Sequence, residues 1–184
     1  MRLFLVTFWF LLTCSVAAAQ EQSEQPRRPA TKLEAFQART GVVLIRGYTP
    51  VGMIRGIGAT ITVDAREFRD AGNPNSRATG ISIAVKETGR LERENTSFVD
   101  ADEIESLLKG IEYIAKISRD ATMHVNFEAE YRTKGDLRIT VYNQTSGKIS
   151  AAITSGTIGR TQAFIEMRDL EDLQGFITEA RAKL

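Results

Sequence analysis

The chain has very little of the residue types on which most nucleophile and metal chemistry depends. Its 184 residues include one cysteine, one tryptophan, one histidine and four prolines. Cys14 and Trp9 both lie within the first 19 residues, which we interpret as a removable leader. The rest of the chain therefore offers no thiol nucleophile, thiolate metal site, iron–sulfur ligation or disulfide. Its hydrophobic core alone must stabilise the fold.

Neither sign of charge dominates the sequence. It has 24 Lys and Arg against 23 Asp and Glu, for a net charge of +1. Strong nucleic-acid binders need clustered basic charge, so this balance argues against such a partner. A hydrophobic content of 42% and a charged content of 26% are typical of a globular domain. We therefore expect one folded domain, and no motif in it predicts a cofactor.

The first residues have the organisation of an export signal. Arg2 makes a basic start, an apolar run covers residues 3–16, and small residues follow up to Ala19. We predict a signal peptide at 1–19, cleavage after Ala19, and a secreted or periplasmic protein with no stable membrane span after cleavage. Two alternatives stay open: an uncleaved membrane anchor and lipid attachment at Cys14.

The remainder divides into a linker and a domain. Residues 20–35 are rich in Gln, Glu, Pro and Arg and predict a flexible linker. Within 36–184, short runs of alternating apolar and polar residues predict strands. These runs are 41–45 (as a buried strand), 57–66, 81–85, 91–99, 123–131, 137–141, 149–153 and 161–165. Glycines at 52–58 predict a twisted hairpin or bulge, since a phosphate loop would lead into a helix rather than a strand.

Two stretches have helical periodicity. Asp100 with Glu103 three residues later forms a capping-box pattern, which predicts the start of the first helix. Its apolar residues are Ile104, Leu107, Leu108, Ile111 and Ile114. The apolar residues of the last helix are Leu170, Leu173, Phe176, Ile177, Ala180 and Leu184. Each stripe predicts a helix that packs one face against a sheet.

The strand and helix blocks occur twice, in about 36–118 and 119–184. Phe98-Val99-Asp100 before the first helix matches Phe164-Ile165-Glu166 before the second, which favours an internal duplication. Alignment of the Glu67 and Glu130 segments leaves their apolar faces out of step by one residue. We therefore predict a β-bulge at residues 65–67, since one extra residue flips the face.

Together these patterns predict an α+β fold in which two amphipathic helices pack on one face of antiparallel sheet or sheets. The fold would consist of two repeated strands-then-helix units within a single domain. This block order resembles that of Whirly-type single-stranded-DNA-binding proteins, and the resemblance lies in the block order alone. It implies single-stranded nucleic-acid binding as one alternative function.

Two groups of residues are candidate sites. His124, the only histidine, shares a predicted strand face with Glu128 and Glu130, and these three could bind a divalent cation or act as an acid–base set. The stretch 154–161 combines hydroxyls, glycines and an arginine, and its backbone amides could hold an anion. The ligand-binding candidates in it are Thr154, Ser155, Gly156, Thr157, Gly159 and Arg160.

No nucleophile–base pair or recognised metal motif accompanies these residues. The leading hypothesis is therefore a non-catalytic exported module that binds a partner protein or small molecule through sheet-edge or loop surfaces. The alternative is a hydrolase or metal-dependent enzyme centred on His124, Glu128 and Glu130. Neither the partner nor the oligomeric state follows from the sequence.

Overall fold

The computed structural model describes residues 28–89 and 91–184. The predicted signal peptide, 1–19, and the first part of the predicted linker lie outside the described residues. The helices are α1 (Lys32–Gln37), α2 (Ile104–Ala115) and α3 (Asp169–Arg181), with a short 3-10 turn at Arg119–Ala121. The strands are β1 (Leu44–Gly56), β2 (Ala59–Asp70), β3 (Asn73–Glu87), β4 (Arg93–Asp100), β5 (Glu128–Arg132), β6 (Arg138–Asn143), β7 (Ile149–Ser155) and β8 (Thr161–Ile165).

The strands form two four-stranded antiparallel sheets, and the predicted α+β class is confirmed. The N-terminal sheet has the order β1-β2-β3-β4 and the C-terminal sheet the order β5-β6-β7-β8. Helix α2 follows the N-terminal sheet but packs on β5 and β6, whereas α3 follows the C-terminal sheet but packs on β1 and β2. Each helix thus covers the sheet of the other half of the chain, and the two helices also contact each other.

One large hydrophobic core lies between the helices and the inner faces of both sheets. Its fully buried side chains come from alternate strand positions and from the predicted helical stripes. They include Ile61, Ile83, Leu107, Ile111, Ile139, Ile153, Leu173 and Ile177. The hairpin between β1 and β2 joins the sheets, because the Ile57 amide donates to the Phe164 carbonyl of β8 at 2.8 Å. Gly58 has a φ of +68° in this hairpin, so the predicted hairpin role of the glycines is confirmed.

A second, smaller core lies on the opposite face of the N-terminal sheet. Helix α1 covers this face, and its Leu33 and Phe36 pack with Phe68 and Ala78. The predicted linker, 20–35, therefore ends earlier than expected, because Leu33 is fully buried. The apolar side chains of α1 attach it to the sheet. The polar composition of the residues before it gave no indication of this contact.

This second core explains why the predicted bulge at residues 65–67 is wrong. Thr49, Tyr48 and Gly47 pair in unbroken register with these three residues. The apolar side chain changes face at Phe68 because α1 covers the outer face of the sheet there, and no extra residue is needed. The register shifts lie elsewhere, between Pro50 and Gly52 of β1 and at the end of β2.

Asp100 caps a different helix from the one predicted. Its buried carboxylate accepts hydrogen bonds from the backbone amides of Lys32 and Leu33, at 2.8 and 3.2 Å, at the start of α1. Helix α2 begins after Glu103, and no side chain caps it. The Glu103 carboxylate instead accepts from the Lys134 amide at 2.9 Å. Both acidic side chains satisfy backbone donors that lie far away in the sequence.

Two predicted strands differ from those observed. The segment 41–45 is not a buried strand, because β1 is an edge strand and its Ile45 side chain is exposed. The predicted strand 123–131 is paired only from Glu128 onward. The residues before Glu128 lack a neighbouring strand because β6 ends at Asn143. Among the described residues, no helix is long and apolar enough to cross a membrane.

Candidate functional site

The outer face of the C-terminal sheet forms a groove of about 590 Å³. Alternate residues of β6 and β7, such as Ile139 and Ile153, point into the core. Thr140 and Thr154, which come directly after these two residues in their strands, therefore point to the other face. The side chains that line the groove are those of Glu87, Arg93, Glu128, Glu130, Arg138, Thr140, Tyr142, Ala152, Thr154, Arg160, Gln162 and Phe164.

The floor of the groove is polar but largely shielded from solvent. Thr140 and Thr154 are each only 8% exposed, and Ala152 between them is 2% exposed. Long side chains on the flanking positions enclose these small residues. The Gln162 amide donates to the Thr154 hydroxyl oxygen at 3.2 Å, so that hydroxyl still has its own proton to donate. Such a concave surface with a few directed polar groups is typical of a ligand site.

Arg138 lies at the centre of this floor and has unused hydrogen-bonding capacity. Its side chain is 19% exposed, and its nearest carboxylate oxygen, on Glu130, is 4.0 Å away. That distance is too long for a hydrogen bond. The Nε atom is buried and has no partner among the described residues. A buried donor without an acceptor is uncommon in proteins, and this one keeps its capacity to donate a hydrogen bond.

Two other arginines border the groove, and both are already engaged. Arg160 donates from Nε to the Thr157 carbonyl at 3.2 Å. Arg93 donates two hydrogen bonds to Glu87, at 2.6 and 3.0 Å. Three arginines thus share the groove with three glutamates, so its formal charges balance. Arg138 is distinguished from the other two by its lack of a bonded acceptor.

Glu87 connects the two sheets at the edge of the groove. It ends β3, and its carboxylate accepts a hydrogen bond from the backbone amide of Gln162 in β8 at 3.0 Å. The hydrogen bond from this backbone amide and those from Arg93 lower the pKa of Glu87 below its ordinary value of 4.5. The ionised carboxylate is therefore the form that holds this side of the groove together.

Because folding lowers the Glu87 pKa, its bonds stabilise the protein fully above the ordinary glutamate pKa. This stabilisation is lost as the pH falls below that value and through the lowered pKa of the folded state. We expect Glu87→Gln to lower the free energy of unfolding near pH 7. The difference from the unsubstituted protein should shrink as the pH falls below the ordinary glutamate value of 4.5. Urea unfolding at several pH values measures this difference. A difference that is independent of pH would show that the carboxylate contributes nothing through its charge.

The three residues of the predicted metal site lie in two different local structures. Glu128 and Glu130 are in β5 and line the groove. His124 lies in the irregular segment before β5, is exposed, and donates its backbone amide to the Thr122 hydroxyl. Among the described residues, no group of three or more His, Cys, Asp and Glu side chains could hold a metal ion. The metal hypothesis stays a prediction. Comparing metal binding by the unsubstituted protein and by His124→Ala would test it, because loss of binding in the variant would support the site.

The predicted ligand loop contributes two residues to the groove and uses the others internally. Thr154 and Arg160 line the groove. Ser155 points inward and shares a hydrogen bond with Ser97 of β4 at 2.8 Å. Thr157 donates its hydroxyl to the buried Asp136 carboxylate at 2.8 Å. Gly156 and Gly159 have φ values of +89° and +62°, so they shape the turn.

The central groove residue, Arg138, was not predicted from the sequence. It occupies an ordinary polar position in an alternating strand, and nothing in its neighbours along the chain distinguishes it. The groove forms only when β6 lies between β5 and β7 and when Glu87 approaches from the other sheet. An arginine among threonines on an uncovered strand face is the one available signal, and it is weak.

No known protein-family model matches the sequence, and no curated protein is significantly similar to it.

Proposed function

We propose that this protein is an exported, non-catalytic binding module whose groove on the C-terminal sheet receives a ligand that carries an oxyanion. The observation that supports this proposal is Arg138, a largely buried guanidinium whose Nε atom donates no hydrogen bond to any described residue. Carboxylate and phosphate groups accept the paired hydrogen bonds that a planar guanidinium offers. The proposed ligand class is therefore a small organic carboxylate or phosphate.

The rest of the groove fits this ligand class. The Thr140 and Thr154 hydroxyls lie on the floor beside Arg138 and can donate further hydrogen bonds to an anion. Glu128 and Glu130 line the same groove and would repel a second negative charge near β5. They would favour a polar or cationic group at that end of the ligand. A ligand with an anionic end would therefore bind with that end at Arg138 and its other end toward Glu128 and Glu130.

Titration of the ¹⁵N-labelled protein, followed by NMR, tests the proposal directly. 4-Aminobutyrate, which has one carboxylate and a cationic end, and inorganic phosphate serve as separate probes, because each carries one of the two oxyanion types. We expect the Arg138 Nε–Hε signal and the Thr140 and Thr154 amide signals to shift and saturate with a Kd of about 1 mM for at least one probe. The probe that saturates identifies the oxyanion.

Substitution of Arg138 should weaken this binding in a graded way. Arg138→Gln removes a charged donor worth about 1.5–3 kcal/mol, so the Kd should rise about tenfold or more. Arg138→Lys keeps the charge but loses the paired geometry, and its Kd should lie between the two. Arg181→Gln, which loses only a surface ion pair between α3 and Glu105, is the matched control and should bind normally.

Two results would contradict the proposed function. One is a linear, unsaturated response to both probes up to about 10 mM, tenfold above the expected Kd. The other is an equal loss of binding in Arg138→Gln and Arg181→Gln, which would indicate general attraction of anions to the surface. Far-ultraviolet circular dichroism of each variant checks that the fold is retained.

We also propose the finer organisation suggested by the sequence. Each half of the domain consists of four antiparallel strands followed by a helix, which supports the proposed duplication of about 36–118 and 119–184. The apolar leader at 1–19 supports export to a secreted or periplasmic location. Mass spectrometry of protein purified after export would test the second point, since cleavage after Ala19 and lipid attachment at Cys14 give different masses.

A further inference from the structure

Strand β5 is an edge of the C-terminal sheet and presents unpaired backbone groups along its outer side. Among the strands that the structure describes, its only neighbour is β6. The Phe127 carbonyl and the Thr133 amide both bond toward the β6 side, to Asn143 and Leu137. Backbone groups alternate in direction along a strand, so those of Glu128, Glu130 and Arg132 face outward. Such an edge can accept another strand.

The residues before β5 continue its alternating pattern without a place to bury their apolar side chains. Met123 is fully exposed and Val125 is 86% exposed. They alternate in step with Phe127, Ala129 and Tyr131, which pack against the main core. In the monomer, residues 122–125 are bent and have no strand beside them. Met123 and Val125, two residues apart as on one face of a strand, are thus left in solvent next to the edge of β5.

We propose that residues 122–132 pair with the same residues of a second copy of this chain, in antiparallel register centred on Phe127. The interface would join two C-terminal sheets into one continuous eight-stranded sheet. Residues 122–125 would straighten on pairing. This proposal is independent of the groove's ligand, because it depends on the edge and not on Arg138.

The self-complementarity of the segment selects the second copy as the occupant. On one face, this register places Met123 opposite Tyr131 of the second copy and Val125 opposite Ala129, with Phe127 opposite itself. Every position on that face therefore pairs apolar side chains, as stable cross-strand pairs require. The outward backbone groups of the even-numbered residues also meet in this register, so they can form the ladder hydrogen bonds.

Polar side chains that can hydrogen bond to each other on the other face support the same register. His124 lies opposite Glu130 of the second copy, and Asn126 lies opposite Glu128. Each pair occurs twice by symmetry, and no two like charges face each other. A register centred on Ala129 would place Glu128 opposite Glu130, which is unfavourable. A register centred on Asn126 would require the 3-10 turn at Arg119–Ala121 to unwind.

Sedimentation velocity over a range of concentrations, combined with a charge swap, tests the proposal. We expect the protein to form a dimer, and His124→Glu to raise the dimer Kd about tenfold or more, because it places like charges opposite each other twice. The double variant H124E/E130H restores both complementary pairs and should recover the dimer. Both positions are exposed, so the fold should be unaffected.

A second variant and a control complete the test. Val125→Lys places a charge in the apolar row and should also weaken the dimer about tenfold or more. Arg168→Glu reverses an exposed charge near β8, at the opposite edge of the sheet, and should leave the dimer unchanged. A chain that stays monomeric up to about 1 mM would overturn the proposal. So would a dimer that tolerates His124→Glu and Val125→Lys, or a double variant that fails to recover.

Discussion

Replacing Phe68 with alanine is expected to lower the free energy of unfolding by about 3–5 kcal/mol, the usual cost of removing a buried aromatic ring. Phe68 is only 2% exposed, and its ring packs edge-on against Phe98 with the centroids 5.9 Å apart. It also contacts the apolar side chains of α1. Its removal would leave a cavity under a helix of six residues, which is too short to be stable by itself.

Urea unfolding measures this loss, and amide hydrogen exchange shows where it acts. The α1 amides should lose protection in Phe68→Ala at denaturant concentrations that leave the main core intact. Phe164→Ala is the matched control, because that ring is 41% exposed on the outer face of the C-terminal sheet. It should cost about 0.5 kcal/mol or less. Equal losses in the two variants would mean that the second core contributes little.

The second large effect concerns a glycine in the middle of α2. A Cβ atom on Gly110 would lie 2.2 Å from the Tyr131 ring of β5. The helix can approach the strand this closely because glycine has no side chain. The Tyr131 hydroxyl also donates to Ser106 at 3.1 Å, one turn earlier in the helix, which limits movement of the ring. Gly110→Ala should therefore overpack the contact at a cost of about 1–3 kcal/mol.

Gly175 provides a matched control within α3. A Cβ atom there would meet nothing within 4 Å, so Gly175→Ala should raise the free energy of unfolding by about 0.4–1 kcal/mol through the smaller entropy of the unfolded chain. The same gain applies to Gly110→Ala and reduces its net loss. Opposite signs in the two variants are the expected result. A stabilised Gly110→Ala would show that the Tyr131 ring moves aside without cost.

Local patterns in the sequence were sufficient to predict most of the regular structure. The apolar stripes of α2 and α3 and the alternation in β2, β3, β6, β7 and β8 bury most of the side chains that their spacing indicates. The exceptions in the helical stripes are Leu108 and Phe176, which are partly buried, and Leu184, which is exposed and lies beyond the end of α3. This works because each of these elements contacts the core with one face. A pattern of apolar residues along the chain then reports directly which face is buried.

Prediction was less successful where an element has neighbours on both faces or on neither. Phe68 changes face because α1 covers the far side of its sheet, and the sequence-based explanation by a bulge was wrong. Asp100 caps α1, which lies 68 residues earlier in the chain, rather than the helix that follows it. Residues 122–126 have a strand pattern but pair with none of the strands that the structure describes. In each case the deciding contact comes from a remote part of the sequence.

The candidate groove shows the same division. Thr154, Arg160, Glu128 and Glu130 could be singled out from the sequence as two separate candidate sites, because their side-chain chemistry is visible in the letters. Their meeting in one concavity required the order of the C-terminal sheet. The sequence also could not indicate that Arg138 would lie among them without an acceptor. Residue types determine which hydrogen-bonding groups are available, whereas the neighbouring strands determine which of these groups have a partner.

Composition and periodicity therefore established the α+β class, the segments that form the core and the absence of cysteine after residue 14. They could do so because hydrophobic burial follows the repeat of the local backbone. The covering of each sheet by the helix of the other half, the concave groove and the open β5 edge emerged from the folded chain. These features depend on contacts between distant segments, and no local repeat records such contacts.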